Sequence, residues 1–388
     1  MKGSIVATGA GIVTPLKPFE GIDAFWKALC SGENIIKRKK LPILNIDREW
    51  LMAEIDLSVL PNPIKPEDKL QIITEEAFRM AVEDAKLHEY SKAGLFIGTI
   101  LGNVLSKERE LMEGYGAKIG DSLSSIASHL SGKFNLHGPQ FTISTACASG
   151  TDAIGIASRE IMAGKADIII AGGVDIISDF ALIGFHSLQA LTEEKVRPFD
   201  KNRSGLVLGD GAAFIVLESE SHAVRRGAKI YGRVLGYASR ADANYLTAPN
   251  REGRGLADAI NQSILESGLS PGDINYINAH GTGTIYNDLM ETKAVKKIFG
   301  KTAYETPISS TKSMLGHSLG AAGAIEAICC LLSIKNKIIP PTINFSEKDP
   351  ECDLDYVPNI ARHQNVEIAM SFSAGFGGQN SAIIFGEI

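Results

Sequence analysis

"ISTACASGTDAIGIASREIMAGKADIII", Ile143 to Ile170, reads as strand, small-residue turn, helix and strand in one unbroken run. "ISSTKSMLGHSLGAAGAIEAICCLLSIKNKII", Ile308 to Ile339, follows the same plan further along the chain. Each opens with a Ser-Thr pair and starts its helix among glycine and alanine. The pair predicts two copies of one αβ unit, packed about a pseudo-twofold axis, although two unrelated αβ turns would read the same way. Outside them, "SIVATGAGIV", "GLFIGTIL", "QFTIS", "DIIIAGGVD", "AAFIVLE", "YINAH", "PISS" and "SAIIFG" read as strands. Several are continuously apolar, as strands covered on both faces are. Amphipathic helices are predicted over Asp68 to Lys86, Gly253 to Ser267 and Asn287 to Phe299. The fold class is α/β, with helices on the sheet faces.

The totals limit what such a chain does. Its 388 residues exceed one ordinary core. A net charge of -6 argues against a nucleic-acid binder but leaves room for a local basic patch. The five cysteines, Cys30, Cys147, Cys329, Cys330 and Cys352, form no C-x-x-C pair. Neither a zinc site nor a disulfide framework is expected, and reduced thiols fit a cytoplasmic location. The opening "MKGSIVATGAGIVTP" lacks the apolar core and cleavage site of a signal peptide. No apolar run is read as reaching the roughly 18 residues of a membrane span.

Four motifs carry chemistry. Cys147 lies between a strand end and a helix start, where unpaired N–H groups favour a thiolate and lower the thiol pKa. Ala146, Ala148, Ser149 and Gly150 leave room for a sharp turn. The residue fits a nucleophile elbow, and it also fits a small buried hydrophobe. In "INAHGTGT", His280 falls at a strand's C-terminal end, where open α/β sheets place their sites. The glycines and threonines after it offer open N–H groups and hydroxyls; a structural histidine is the alternative. "SSTKSMLGHSLGAAG" presents Lys312 on a loop and His317 before a helix, whose N-terminus disfavours an imidazolium. Glu326, on that helix, is the expected partner of Lys312. In "MSFSAGFGGQNSAIIF", glycines around Phe376 make either a gate with an oxyanion donor or an ordinary hairpin. A cysteine with two histidines and a lysine at strand ends suggests acyl-thioester chemistry.

In this order, "TACASG", "NAHGTGT", "STKSMLGH" with "LGAAG", and "GFGG" resemble the β-ketoacyl-acyl carrier protein synthases with a Cys-His-His triad, closest to the synthase I/II group. "RPFDKNRSGLVLGDGA" also looks like that family's segment between its halves, and the match covers essentially the whole chain. The resemblance implies a thiolase-like fold, two related halves in a five-layer αβαβα arrangement, with boundaries at 1–228 and 229–388. It implies that Cys147 takes an acyl group from a phosphopantetheine thioester on an acyl carrier protein. A malonyl thioester then loses CO₂, and its carbanion attacks the acyl-cysteine. His280 and His317 would donate to the malonyl thioester oxygen, while Lys312 and Glu326 organise the site. The backbone N–H groups of Cys147 and Phe376 would form the oxyanion hole. Thr282, Thr284, Thr247, Gly375 and Gly377 would bind substrate. No metal or redox cofactor is implied, and a homodimer is.

The sequence departs from the family pattern at Ala374, where phenylalanine is usual, at Gln379, and at Asn244 and Tyr245. The smaller Ala374 predicts a looser gate or an unusual acyl chain. An acidic carrier protein predicts a basic patch, with Lys65, Lys69, Arg197, Lys201 and Arg203 as candidates. A thiolase would carry a second cysteine where "GFGG" stands, and a synthase III would carry asparagine at His317. A chain-length factor usually lacks the cysteine. A condensing or interaction subunit of a heterodimeric polyketide-type ketosynthase is the alternative reading.

Overall fold

The computed structural model describes residues 4–41, 43–44, 46–60, 64–114 and 122–388. Among these residues ten strands form one sheet: β1 (Ile5–Val13), β2 (Gly94–Gly98), β3 (Gln140–Ile143), β4 (Ile168–Asp175), β5 (Gly211–Ser219), β6 (Gly232–Ala241), β7 (Tyr276–Asn278), β8 (Ile308–Ser309), β9 (Ile368–Gly375) and β10 (Gln379–Gly386). Their order across the sheet is β8-β7-β9-β10-β6-β1-β5-β4-β2-β3. Read outward from the centre, each set of five runs first, fifth, fourth, second, third. In each set the second strand pairs in parallel with the third and the fourth. The fifth strand pairs antiparallel with the fourth and the first. Two unrelated αβ turns would not reproduce both order and direction, so the strand pattern bears out the duplication. β1 and β6 join the sets antiparallel, Ile5 to Ala7 opposite Gly232 to Val234.

Helices fill the layers between and outside. α1 (Lys69–Asp84) covers β1 and β5, and α4 (Arg254–Ser267) covers β6 and β10. α2 (Ser149–Met162) and α6 (Ala322–Asn336) pack on each other in the middle and touch strands of both sets. Their small residues are required there. A Cβ on Gly150 would lie 2.8 Å from the Gly320 carbonyl, and one on Gly323 would lie 2.1 Å from Thr151 Oγ1. This is the five-layer αβαβα order of a thiolase-like fold.

Three readings need correction. β6 went unread because glycines and arginines interrupt "GRVLGYASRA", so it lacks the apolar run of its neighbours. Lys312 does not sit on a loop: it opens the one-turn helix Lys312–Leu315 and is buried. Among the described residues one stretch, Leu319–Asn336, is long and apolar enough to cross a membrane. It is the core helix α6 with the turn before it, and 89% of it is buried inside the protein.

Candidate active site

β3 ends at Ile143, and the chain turns sharply before α2. Ala146 takes a left-handed φ of 51°, a conformation that non-glycine residues adopt only when their surroundings hold it. The surroundings do hold it. The Thr145 N–H donates to Ser149 Oγ at 2.9 Å, and that hydroxyl donates to the Ala146 carbonyl at 2.5 Å. The Thr145 hydroxyl donates to Asp152 at 2.6 Å. Cys147 therefore stands at a braced elbow, not in a packing layer.

His280 follows β7 directly, and His317 precedes the single 3₁₀ turn that leads into α6. Cys147 Sγ and one ring nitrogen of each histidine lie within 4.8 Å of one another. The two imidazoles meet edge to face, with ring centres 5.0 Å apart. His317 Nδ1 accepts the Leu319 N–H at 3.0 Å, which leaves the proton of the neutral ring on Nε2. That Nε2 and the Nδ1 of His280 have no hydrogen-bond partner among the described residues. Burial holds both imidazoles well below the usual range, and the charge of Lys312 adds to the effect. Both rings are neutral, as the sequence predicted for His317.

Lys312 Nζ donates to the His280 carbonyl at 2.6 Å and to Glu326, with both side chains almost fully buried. Burial raises the Glu326 carboxyl to about 7, against the pull of Lys312. The expected pair is thus present, and it fixes the backbone that carries His280.

The thiol differs from its expectation. Burial pushes Cys147 up to about 11, while Lys312 and the Phe376 N–H, which hydrogen-bonds to the sulfur, pull it down. Desolvation outweighs the helix start, so the resting sulfur is a thiol.

The turn after His280 is also different from its reading. The Gly281 N–H donates to Glu291 at 2.8 Å and the Gly283 N–H to Asp288 at 3.2 Å. These N–H groups are occupied, not open. Asp288 and Glu291 are buried on α5 (Ile285–Phe299), and neither was singled out in sequence. The hydroxyls of Thr282 and Thr284 face each other at 2.9 Å.

Phe376 lies at the tip of the β9–β10 hairpin, its ring stacked on Phe185 at 5.4 Å. Phe185 comes from α3 (Asp179–Ser187) and was not singled out in sequence. The turn is tied to a neighbouring loop: the Gly377 N–H donates to the Leu246 carbonyl at 2.6 Å, and the Asp242 N–H donates to that of Gly378 at 2.8 Å. Asn380 donates its side-chain amide to Asp242 at 3.1 Å. A cavity of about 410 Å³ opens beneath, lined by Cys147, His280, His317, Thr247, Thr282, Thr284, Ala374, Gly375 and Phe376. Gly378 lines it in place of the expected Gly377. Asn244 and Tyr245 are exposed and outside the lining.

The predicted basic patch does not hold together. Lys69 is buried against Glu54 and Asp210, and Arg203 is buried against Asp349 and the Ile285 carbonyl. A buried cation needs such partners, so neither can meet a docking protein. Lys65 and Lys201 are exposed, with Lys201 bound to Glu347, and Arg197 is half-buried beside Glu194.

Comparison with known proteins agrees with this geometry. The model of the β-ketoacyl synthase N-terminal domain matches residues 2–223, and that of the C-terminal domain matches residues 231–346. The tetracenomycin polyketide synthase ketoacyl synthase alpha subunit of Streptomyces glaucescens is 36% identical, over 98% of this chain and 96% of its own. The 3-oxoacyl-[acyl-carrier-protein] synthase 2 of Coxiella burnetii is also 36% identical, over 100% and 99%. Among solved structures, a type II polyketide ketosynthase in complex with its acyl carrier protein superposes with a TM-score of 0.92 at 32% identity, covering 100% of both chains. The ishigamide ketosynthase/chain length factor gives 0.90 at 32% identity, again over 100% of both.

Proposed function

The chain belongs to the β-ketoacyl synthase family, and we propose that it lengthens an acyl chain held on Cys147 by two carbons taken from a malonyl thioester. One observation carries this reading: the sulfur and both imidazoles converge in one cavity, with the Phe376 N–H on the sulfur. In the first half-reaction Cys147 Sγ attacks the acyl thioester carbonyl. The tetrahedral oxygen is held by the N–H groups of Cys147 and Phe376. The pantetheine sulfur leaves and takes the thiol proton, so the acyl-cysteine forms without net charge.

In the second half-reaction the malonyl thioester enters along Thr282 and Thr284. Its terminal carboxylate leaves as CO₂, and the electron pair moves towards the thioester oxygen. Neutral His317 donates its Nε2 proton in a hydrogen bond to that oxygen, and His280 supports it. Their donation counts most as charge develops, which is the condition for catalysis. The carbanion attacks the acyl-cysteine carbonyl, the Cys147 thiolate leaves and takes a proton from water to restore the resting thiol, and a β-ketoacyl thioester is released. These steps use protein groups alone and require no metal or redox cofactor.

The halves 1–228 and 229–388 are the units of the duplication, as the repeated strand order supports. The substrates ride on the phosphopantetheine of an acyl carrier protein, in the cytoplasm, and the enzyme acts as a homodimer. A heterodimer with a chain-length-factor-like partner is the second reading, favoured by the close superposition on the ishigamide ketosynthase/chain length factor. Mass spectrometry of the protein with acyl-carrier substrates of varied length tests the proposal. An acyl adduct on Cys147, absent in Cys147→Ala, is expected; an adduct elsewhere, or none at any length, would overturn it.

A further inference from the structure

Asp175 is the last residue of β4, and it is fully buried. None of the steps above uses it. Its carboxylate accepts the Thr99 hydroxyl at 2.9 Å and the N–H groups of Ile100 at 2.9 Å, Leu101 at 3.0 Å and Gly320 at 2.7 Å. Each of these is a neutral donor. The first three come from the chain that follows β2, in the same half as Asp175. The Gly320 bond is the shortest, and it crosses to the second half.

Gly320 stands three residues after His317. The His317 backbone is fixed from another side. Its N–H donates to the Val207 carbonyl at 2.7 Å, and its carbonyl accepts the Gly209 N–H at 3.0 Å. Those bonds leave the ring free to turn. What holds the ring is the Leu319 N–H on Nδ1, at 3.0 Å. Leu319 takes a left-handed φ of 52°, which costs energy in any residue but glycine. Left unbraced, the turn would relax and carry that N–H away from the imidazole.

The brace comes one residue later, where the Gly320 N–H meets Asp175 Oδ2. The fit is close. A Cβ on Gly320 would lie 2.5 Å from that oxygen and 2.9 Å from Thr99 Cα. The glycine is thus what lets the carboxylate close on the turn.

We propose that Asp175 is a positioning residue for His317: by holding the Gly320 N–H it keeps Leu319 left-handed, its N–H on His317 Nδ1 and the ring proton on Nε2. The inference rests on the reading that His317 donates from Nε2 to the malonyl thioester oxygen. It gives a buried carboxylate of the first half a part in the decarboxylation step. A carboxylate at the start of α6 also complements the unpaired N–H groups of that helix. That role alone would change stability and leave the imidazole unmoved.

The test joins kinetics to nitrogen-15 spectra of histidine-labelled enzyme, with the His317 signals assigned by their loss in His317→Ala. In the unaltered protein Nε2 should carry the proton and Nδ1 should be a hydrogen-bonded acceptor. In Asp175→Ala and in Gly320→Ala the Nδ1 signal should move towards that of an unbonded nitrogen. CO₂ release from a malonyl-loaded type II acyl carrier protein should fall about tenfold, as when a tenth of the rings stay competent. Acylation of Cys147 by an octanoyl-loaded carrier should change by less than about threefold, because the charge of Asp175 only raises that thiol. Asp175→Asn can keep an oxygen on Gly320 and should recover most of the loss. Thr99→Val removes a donor from the same carboxylate, so it should lower stability and leave both steps and the Nδ1 signal unaltered. A proton on Nδ1 in the unaltered protein overturns the proposal, as do equal losses in the two steps or none in either. So do an unmoved Nδ1 signal, Asp175→Asn no better than Asp175→Ala, or Thr99→Val as poor as both. If Asp175→Ala does not fold, Gly320→Ala and the unaltered ring decide the matter. If the unaltered enzyme releases no CO₂ from the malonyl carrier, the proposed function fails, while the ring signals still judge the Asp175 brace.

Discussion

The two halves share one strand order and spend it differently. After the second strand, the first half places Thr99 to Leu101, where the Thr99 hydroxyl and the N–H groups of Ile100 and Leu101 donate to Asp175. The second half places His280 there. After the third strand, the first half turns at Ala146 and presents Cys147; the second inserts a one-turn helix and presents Lys312 and His317. After the fourth strand, the first half ends in buried Asp175, and the second ends in the Phe376 hairpin. A duplicated scaffold thus offers equivalent strand ends, and in the proposed mechanism one copy holds the nucleophile while the other holds the groups that act on it. Chemistry at the seam needs both copies.

The largest expected effect comes from removing the first half's single contribution. Cys147→Ala should lower condensation by roughly 10⁴-fold or more, on the scale of losing a nucleophile. His317→Ala removes a second-half donor, so it should leave acylation of Cys147 nearly intact and slow malonyl decarboxylation by about 10²–10³-fold. Radiolabelled CO₂ release and adduct mass spectrometry separate the two steps. If His317→Ala slowed acylation as much as decarboxylation, the division of labour between the halves would be wrong. Cys147→Gln sharpens the same point: condensation should vanish while decarboxylation continues.

Next comes the site's response to pH. His280 and His317 are held below their usual range, so the unfolded chain binds protons that the folded one refuses. Stability should therefore fall as pH drops below about 6.5, the ordinary imidazole value. Glu326 and Asp175 act with the opposite sign. Their carboxyls are raised to about 7 and about 6, so the folded state binds more protons and loses stability as pH rises towards those values. Denaturation midpoints across pH 5–7 for the unaltered protein and for His280→Asn/His317→Asn resolve the two. The double variant should retain the carboxyl slope alone, with stability falling as pH rises. An unchanged profile would mean that the imidazoles are not buried neutral.

Much of this was legible in the sequence because the decisive groups lie on local motifs. A strand end, small residues and a helix start are visible around Cys147, and the same signature recurs before α6. What stayed hidden depends on distant partners. Asp288 and Glu291 carry no local sign that they clamp Gly281 and Gly283, because the burial is created by packing of α5. Lys69 and Arg203 looked like surface cations for the same reason. Phe185 lies almost 200 residues from Phe376, and no periodicity joins them. β6 was missed because its pairing, not its composition, makes it a strand.

Asp152 is the clearest tie between the halves. It lies on α2 beside the elbow, yet accepts hydroxyls from Tyr237 on β6 at 2.8 Å and from Ser381 on β10, besides Thr145. Burial raises its carboxyl above the usual range, and those hydroxyls oppose the shift. Asp152→Ala should cost about 2 kcal/mol, the scale of leaving buried donors unmatched. Because Thr145 would lose its anchor, Cys147 alkylation should also slow. Asp152→Asn keeps an acceptor and should recover part of both. A loss of stability with an unaltered alkylation rate would make Asp152 a tie only, with no hold on the nucleophile.

The smallest effect is expected at Ala374, where the β9 end of the second half meets the first half's cysteine. The neighbouring Gly375 already touches the elbow: a Cβ there would lie 3.0 Å from the Cys147 nitrogen. Ala374 lines the cavity and packs beside the second-half core. Ala374→Phe fills space without touching the triad, so acylation by acetyl and butyryl carriers should change by less than about threefold. Longer acyl chains should be excluded progressively, since each methylene that loses its place forfeits about 0.8 kcal/mol of burial. Acylation rates measured from two to twelve carbons would show a truncated profile in the variant. A profile superposable on that of the unaltered enzyme would place the acyl chain elsewhere in the cavity and leave this departure without a role in chain length.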